Sequence, residues 1–137
     1  MNSIPTFNKV ESIETVDDIS VSVQTEYIAS QYVKNEKNYV FSYTITITNN
    51  SKQPAKLLSR YWLITNGNNE TSTVAGEGVI GKQPVIAPNQ QYIYTSGCIL
   101  KTPVGTMQGH YQMLYDDKEL QQVEIPVFRL AQPLILN

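Results

Sequence analysis

The sequence "GEGVIGK" carries the chain's most suggestive spacing: Gly76, Gly78 and Gly81 satisfy G-x-G-x-x-G, and Lys82 follows at once. Dinucleotide-binding turns use that spacing because glycines let the backbone approach a pyrophosphate where a helix begins, its free N–H groups aimed at the anion. A helix is not expected here, since Pro84 and Pro88 follow in "KQPVIAP". No Asp or Glu between Gly78 and Tyr115 is available to hold a ribose. The phosphate-binding P-loop fails as well, because Gln83 stands where a magnesium-binding hydroxyl is required. Two readings remain. Gly76, Gly78, Gly81 and Lys82 form a candidate anion-binding loop, a backbone nest opposed by the charge of Glu77. Alternatively the glycines supply positive φ or a bulge where the chain passes between sheets, which is the expected role.

Other chemistry is sparse. His110 is the single histidine, and in "TMQGHYQM" it shares a face with Thr106, Gln108 and Gln112, opposite Met107, Tyr111 and Met113. Ser59, Ser96 and Cys98 are conceivable nucleophiles, but acyl transfer needs a base about 3 Å away held by a third group, and no such spacing occurs. No catalytic residue, metal ligand or cofactor is therefore assigned. Cys98, between Gly97 and Ile99, reads as a small buried hydrophobe. Asp116, Asp117 and Glu119 read as a solvated turn rather than a cation loop. Arg60, Tyr61 and Trp62 make a compact aromatic and cationic cluster of the kind that dominates protein–protein contacts, and they stand as a candidate interaction surface beside the alternative of core packing. Arg60 and Arg129 are also available as anion forks.

These residues must be positioned by strands. The 137 residues are 41% hydrophobic and only 16% charged, with Thr, Tyr, Asn and Gln supplying the polarity, a balance that favours sheet over helix. Ile19, Val21 and Val23 alternate with Ser20, Ser22 and Gln24. In "YVFSYTITITNNS", Phe41, Tyr43, Ile45 and Ile47 alternate with Ser42, Thr44, Thr46 and Thr48 before Asn49-Asn50-Ser51 ends the run. "KLLSRYWLIT" runs into Asn66-Gly67, a pair suited to a type I′ hairpin turn, with "ETSTVA" as partner. "QYIYTSGCIL", "GTMQGHYQMLY" and "LQQVEIPVF" complete about seven strands. The expected fold is all-β, an antiparallel sandwich of immunoglobulin or fibronectin type III character over residues 19–137, preceded by an extension over residues 1–18.

A formal charge of -2 without a run of Lys or Arg argues against a nucleic-acid partner. One cysteine permits no internal disulfide, no signal peptide is legible, and no apolar run reaches the roughly 20 residues of a membrane span. A cytoplasmic location without membrane contact is the expectation, and an unprotected sheet edge would allow a homodimer.

Taken together, "YVFSYTITITNNS", "LLSRYWLITNGN", "VAGEGVIGKQPVIAPNQQYIYTSG", "TPVGTMQGHYQM" and "IPVFRLAQP" resemble the ApaG family, in the same order and nearly without gaps over about residues 19 to 137. The resemblance implies a fibronectin type III-like sandwich and no enzyme. It implies a link to cobalt resistance and magnesium efflux, and, because similar domains are fused to an F-box in eukaryotes, recognition of an unidentified protein partner. The family's glycine motif falls on Gly76, Gly78 and Gly81. It has been discussed as a pyrophosphate-binding element, which implies a phosphate-containing small molecule such as a dinucleotide polyphosphate as the alternative ligand. The chain departs from the bacterial pattern in a longer N-terminus and in Cys98.

Overall fold

The computed structural model describes residues 18–133; the expected extension lies almost wholly outside the described residues. Alternating apolar and hydroxyl residues form eight strands, β1 (Ile19–Val33), β2 (Glu36–Asn49), β3 (Ala55–Asn66), β4 (Thr71–Glu77), β5 (Val85–Ile86), β6 (Gln91–Leu100), β7 (Val104–Tyr115) and β8 (Leu120–Ala131). One sheet runs β1-β2-β6 and the other β4-β3-β7-β8, with β5 added beside β3. All pairings are antiparallel, so the chain is the expected β-sandwich. The pairings of β2 with β6 and of β3 with β7 are non-sequential and carry the chain between sheets.

Three local features differ from the sequence reading. The eighth strand, β5, has two residues between Pro84 and Pro88, too few to show a period, and it pairs through Ala55↔Ile86 and Lys56↔Val85. Asn66-Gly67 does not form a type I′ turn. There Asn69, at φ 64°, takes the left-handed position, its N–H donating to Asn66 O at 3.0 Å, while Gly67 N–H donates to the Thr102 hydroxyl at 2.7 Å. The paired left-handed turn occurs instead at Lys34-Asn35, φ 51° and 68°, so β1 and β2 form one long hairpin.

Between the sheets, Phe41, Tyr43, Ile45 and Ile47 of β2 face Leu57 and Trp62 of β3 and Met107, Tyr111 and Met113 of β7. Trp62 meets Tyr43 and Phe128 edge-on, with ring centroids 5.4 and 5.7 Å apart, a favoured aromatic geometry. The hydroxyls of Tyr94 and Tyr111 share a hydrogen bond inside this core. β1 packs against β8 and closes one side of the sandwich. The free edges of β4 and β6 lie on the other side.

One end of the sandwich is tied by Asn49, which is fully buried. Its Nδ2 donates to Gln53 O and Ile86 O, each at 2.8 Å, and its Oδ1 accepts from Ser51 N–H at 2.9 Å and from the Ser51 hydroxyl at 2.6 Å. One amide thus joins the β2–β3 connection to β5. Asn49→Asp should destabilise the fold nearly as much as Asn49→Ala, by about 3 kcal/mol, because it strands both carbonyls and buries a charge. Urea midpoints of the two variants check this; an aspartate variant near wild type would refute the donor assignment.

The buried phenols and thiol predict a pH dependence. Burial pushes the Cys98 thiol from 9.0 to about 11 and the Tyr94 phenol from 10.0 to about 12, and it raises Tyr111 and Tyr43 as well. The fold prefers each neutral form, so its stability is complete below pH 9, where the unfolded chain also keeps these protons. As pH rises through 9.0 and 10.0 the unfolded chain releases them first, and stability falls toward pH 11 to 12. Urea midpoints from pH 7 to 11, with tyrosinate absorbance followed in parallel, should show the fall beginning before these phenols ionise in the folded protein.

Candidate functional site

After β4 the chain makes a two-residue hairpin. Val79 N–H donates to Lys82 O at 2.8 Å, Lys82 N–H returns to Val79 O at 3.0 Å, and the central Ile80 and Gly81 are both left-handed, at φ 48° and 73°. That is the type I′ requirement. Gly78 is left-handed too, φ 62°, and a Cβ there would lie 2.0 Å from the Lys82 carbonyl oxygen. Gly76 has a third reason, since its Cβ would meet the Arg60 guanidinium at 3.2 Å. The motif is therefore accounted for residue by residue, Gly78 and Gly81 by backbone geometry and Gly76 by the packing of a side chain.

An anion nest needs successive N–H groups that are free. Gly78 N–H donates to Leu58 O at 2.8 Å, and those of Val79 and Lys82 close the hairpin. In this turn, only Ile80 and Gly81 have N–H groups without an acceptor among the described residues. Ile80, a β-branched residue held left-handed, exposes its side chain at the tip. Lys82 is exposed and lies at the base of the same turn.

Arg60, Tyr61 and Trp62 do not share a surface, because neighbours on a strand point to opposite faces. A register shift between Leu57 and Ser59 sets which face each takes. Trp62 is buried, which corrects its place in an exposed cluster. Arg60 also turns inward, its Nη1 donating to Gly78 O at 2.8 Å and to Glu77 O at 3.3 Å. Tyr61 alone faces out, stacked on His110 with centroids 5.2 Å apart and planes 20° from parallel. Beside this stack is a hollow of about 450 Å³, lined by Tyr61, Leu63, Gln108, His110, Glu124 and Val127. A second register shift, between Met107 and Gly109 in the β7–β8 pairing, leaves Pro126 and Val127 bulged at its rim, with Val127 exposed. Sequence reasoning missed both bulges; the alternation slips by one in "KLLSRYWLIT" and in "VEIPVFRL" were the available signals.

The remaining candidates are placed plainly. His110 is on the outer face, as expected, and has no hydrogen-bonded nucleophile among the described residues. Cys98 is buried and its thiol is held protonated. Ser96 sits beside the Tyr43 hydroxyl. Asp117 caps its turn, accepting from Gln53 Nε2 at 3.0 Å and from Glu119 N–H at 3.1 Å, and these bonds lower its carboxyl below the ordinary value. Among the described residues, no group of three or more His, Cys, Asp or Glu is placed to hold a metal, and no helix is long and apolar enough to cross a membrane.

A two-sheet antiparallel sandwich with a glycine hairpin braced by an inward arginine defines a compact all-β domain of a particular kind. The model of the ApaG domain matches residues 29–115, and the chain belongs to the ApaG family. It is 50% identical over 119 residues to the protein ApaG of Escherichia coli O1:K1 and equally to that of Shigella boydii serotype 18, covering 87% of this chain and 95% of each relative. It is also similar to the crystal structure of an ApaA protein from Bordetella pertussis, with TM-score 0.79, 43% identity and coverage of 85% and 94%. A crystal structure solved as a structural-genomics target gives TM-score 0.84 at 49% identity, with coverage of 87% and 90%.

Gly78 and Gly81 should separate on substitution. Gly78→Ala drives a methyl into backbone and should cost about 2 kcal/mol or more, whereas Gly81→Ala meets no atom and pays only left-handed strain of about 1 kcal/mol, which Gly81→Asn should largely recover. Thermal or urea unfolding of the three variants checks the order, and equal costs would contradict the hairpin geometry.

Proposed function

We propose that the protein is a non-catalytic recognition module that binds a protein partner through the outer face of the β4-β3-β7-β8 sheet. The observation that carries this reading is the rigid Tyr61–His110 stack beside the hollow rimmed by Val127. An aromatic anchor fixed by stacking loses little freedom on binding, and interface hot spots are built on aromatic and apolar anchors with polar side chains around them, the residue types met here in Tyr61, Leu63 and Val127 beside Gln108 and Glu124. No acid, base or nucleophile is joined in a catalytic array in this hollow, which supports binding rather than turnover. On this reading, the ApaG link to cobalt and magnesium is exerted in the cytoplasm through the partner, since the residues around the hollow offer one histidine and one carboxylate.

The alternative, pyrophosphate or dinucleotide polyphosphate held by the glycine hairpin, has in its favour the two tip N–H groups and Lys82. It has against it that those of Gly78, Val79 and Lys82 are already used.

Two experiments separate the readings. Tyr61→Ala combined with Val127→Glu should reduce saturable capture of the partner by about tenfold or more, while Thr46→Lys on the opposite sheet leaves it unchanged. Capture that survives the double substitution, or no saturable partner at all, would refute the surface. In an amide NMR titration, pyrophosphate and ATP should leave residues 76 to 82 unshifted at millimolar concentration; saturable shifts confined there would make the anion reading the correct one.

A further inference from the structure

The cleft between the free edges of β4 and β6 is distinct from the outer hollow, because it opens between the two sheets. It encloses about 260 Å³ and is lined chiefly by Arg60, Trp62, Met107, Val74, Cys98 and Ile99. Its walls are mixed, with Tyr43 and Ser96 beside the apolar side chains. Exposed Val74 forms the lip on β4; on β6 the inward positions are Ser96 and Cys98, while the Ile99 side chain, between buried Cys98 and Leu100, turns to the outer face.

One cation stands in this cleft. Arg60 is only partly exposed, and its Nη1 is taken by the two carbonyls of the glycine stretch. Its Nη2 and Nε have no hydrogen-bond acceptor among the described residues, and no described carboxylate lies within ion-pair distance of it. A guanidinium withdrawn from water is costly unless its charge and its donors are met, and two carbonyl dipoles meet only part of that need. Both described chain ends lie on β1 and β8, the closed side, away from this cleft.

We propose that the β4–β6 cleft is a binding site for a small monocarboxylate with an apolar tail. The carboxylate takes the open edge of the Arg60 guanidinium, where the planar fork matches its two oxygens. The tail lies on Trp62 and Met107 between Val74 and Cys98. Charge selects the class: one guanidinium neutralises one carboxylate, whereas a phosphate dianion would bring a second charge that no other cation of the lining meets. The buried Cys98 thiol is protonated and adds a soft neutral wall rather than a nucleophile.

The test is an amide NMR titration of the full chain with hexanoate, 1-hexanol and hexyl phosphate. Hexanoate should give saturable shifts at residues 60, 74 to 76 and 96 to 99 and none at Tyr61 or His110. The alcohol and the phosphate should each bind at least tenfold more weakly. Arg60→Gln should weaken hexanoate tenfold or more. Because Arg60 also braces the hairpin, Val74→Trp at the exposed β4 lip, opposite inward Trp62, supplies a second arm that fills the cleft and should block binding in a folded protein. No saturable shift at 10 mM hexanoate, equal binding of the alcohol, tighter binding of the phosphate, or unaltered binding in Val74→Trp would each overturn the assignment. The outer-face reading stands or falls separately, since Tyr61→Ala should leave hexanoate binding unchanged.

Discussion

One extra residue in β3 governs the candidate sites. Before the register shift between Leu57 and Ser59, the inward positions are Ala55 and Leu57; after it they are Arg60, Trp62 and Ile64. Because side chains alternate with a period of two, a one-residue bulge exchanges the faces of everything beyond it. Without it Tyr61 would enter the core, while Arg60 and Trp62 would face water. The carbonyl of Leu58, displaced from regular pairing, then accepts from both Gly78 N–H and Gln83 Nε2 at 2.8 Å. Leu57 N–H reaches Pro84 O at 2.9 Å. The bulge thus fixes where the glycine hairpin sits and how β5 joins the sheet.

The sandwich itself was legible because its longest strands repeat one rule. Tyr43, Ile45 and Ile47 alternate with threonines, and the structure buries the first set and leaves the second partly exposed. His110 was placed on the correct face by the same rule, since Met107, Tyr111 and Met113 are buried opposite it. What failed was local. Alternation says nothing about where a strand slips, so Arg60, Tyr61 and Trp62 were read as one cluster although they divide between two faces. Asn66-Gly67 carried a strong turn signal, yet the Thr102 hydroxyl captures Gly67 N–H and the left-handed residue is Asn69. Asn49 looked like a strand terminator. Its role as a buried amide bonded to Gln53 and Ile86 depends on a segment 37 residues away, which no local pattern encodes.

The same bulge gives β3 two chemically different faces. Outward, Tyr61 and His110 make a stacked aromatic platform that offers area and shape. Inward, Arg60 gives the inter-sheet cleft its one cation. These faces are separated by the thickness of one strand, yet neither shares a side chain with the other. A ligand proposed for one face need not occupy the other, since both are placed by the same strand.

The glycine motif acquires a different chemical meaning from this arrangement. Its hairpin spends the N–H groups of Val79 and Lys82 on closing itself and that of Gly78 on Leu58 O, so the loop backbone is poorly equipped as a phosphate cradle. What the motif does provide is a bare backbone at Gly76, against which the guanidinium rests, and a turn at Gly78 that delivers a carbonyl to Nη1. The glycines hold an arginine at the mouth of the inter-sheet cleft with half of its fork open. Any anion chemistry of this motif is accordingly carried by Arg60, a residue sixteen positions before the first glycine in sequence and in direct contact with it in space.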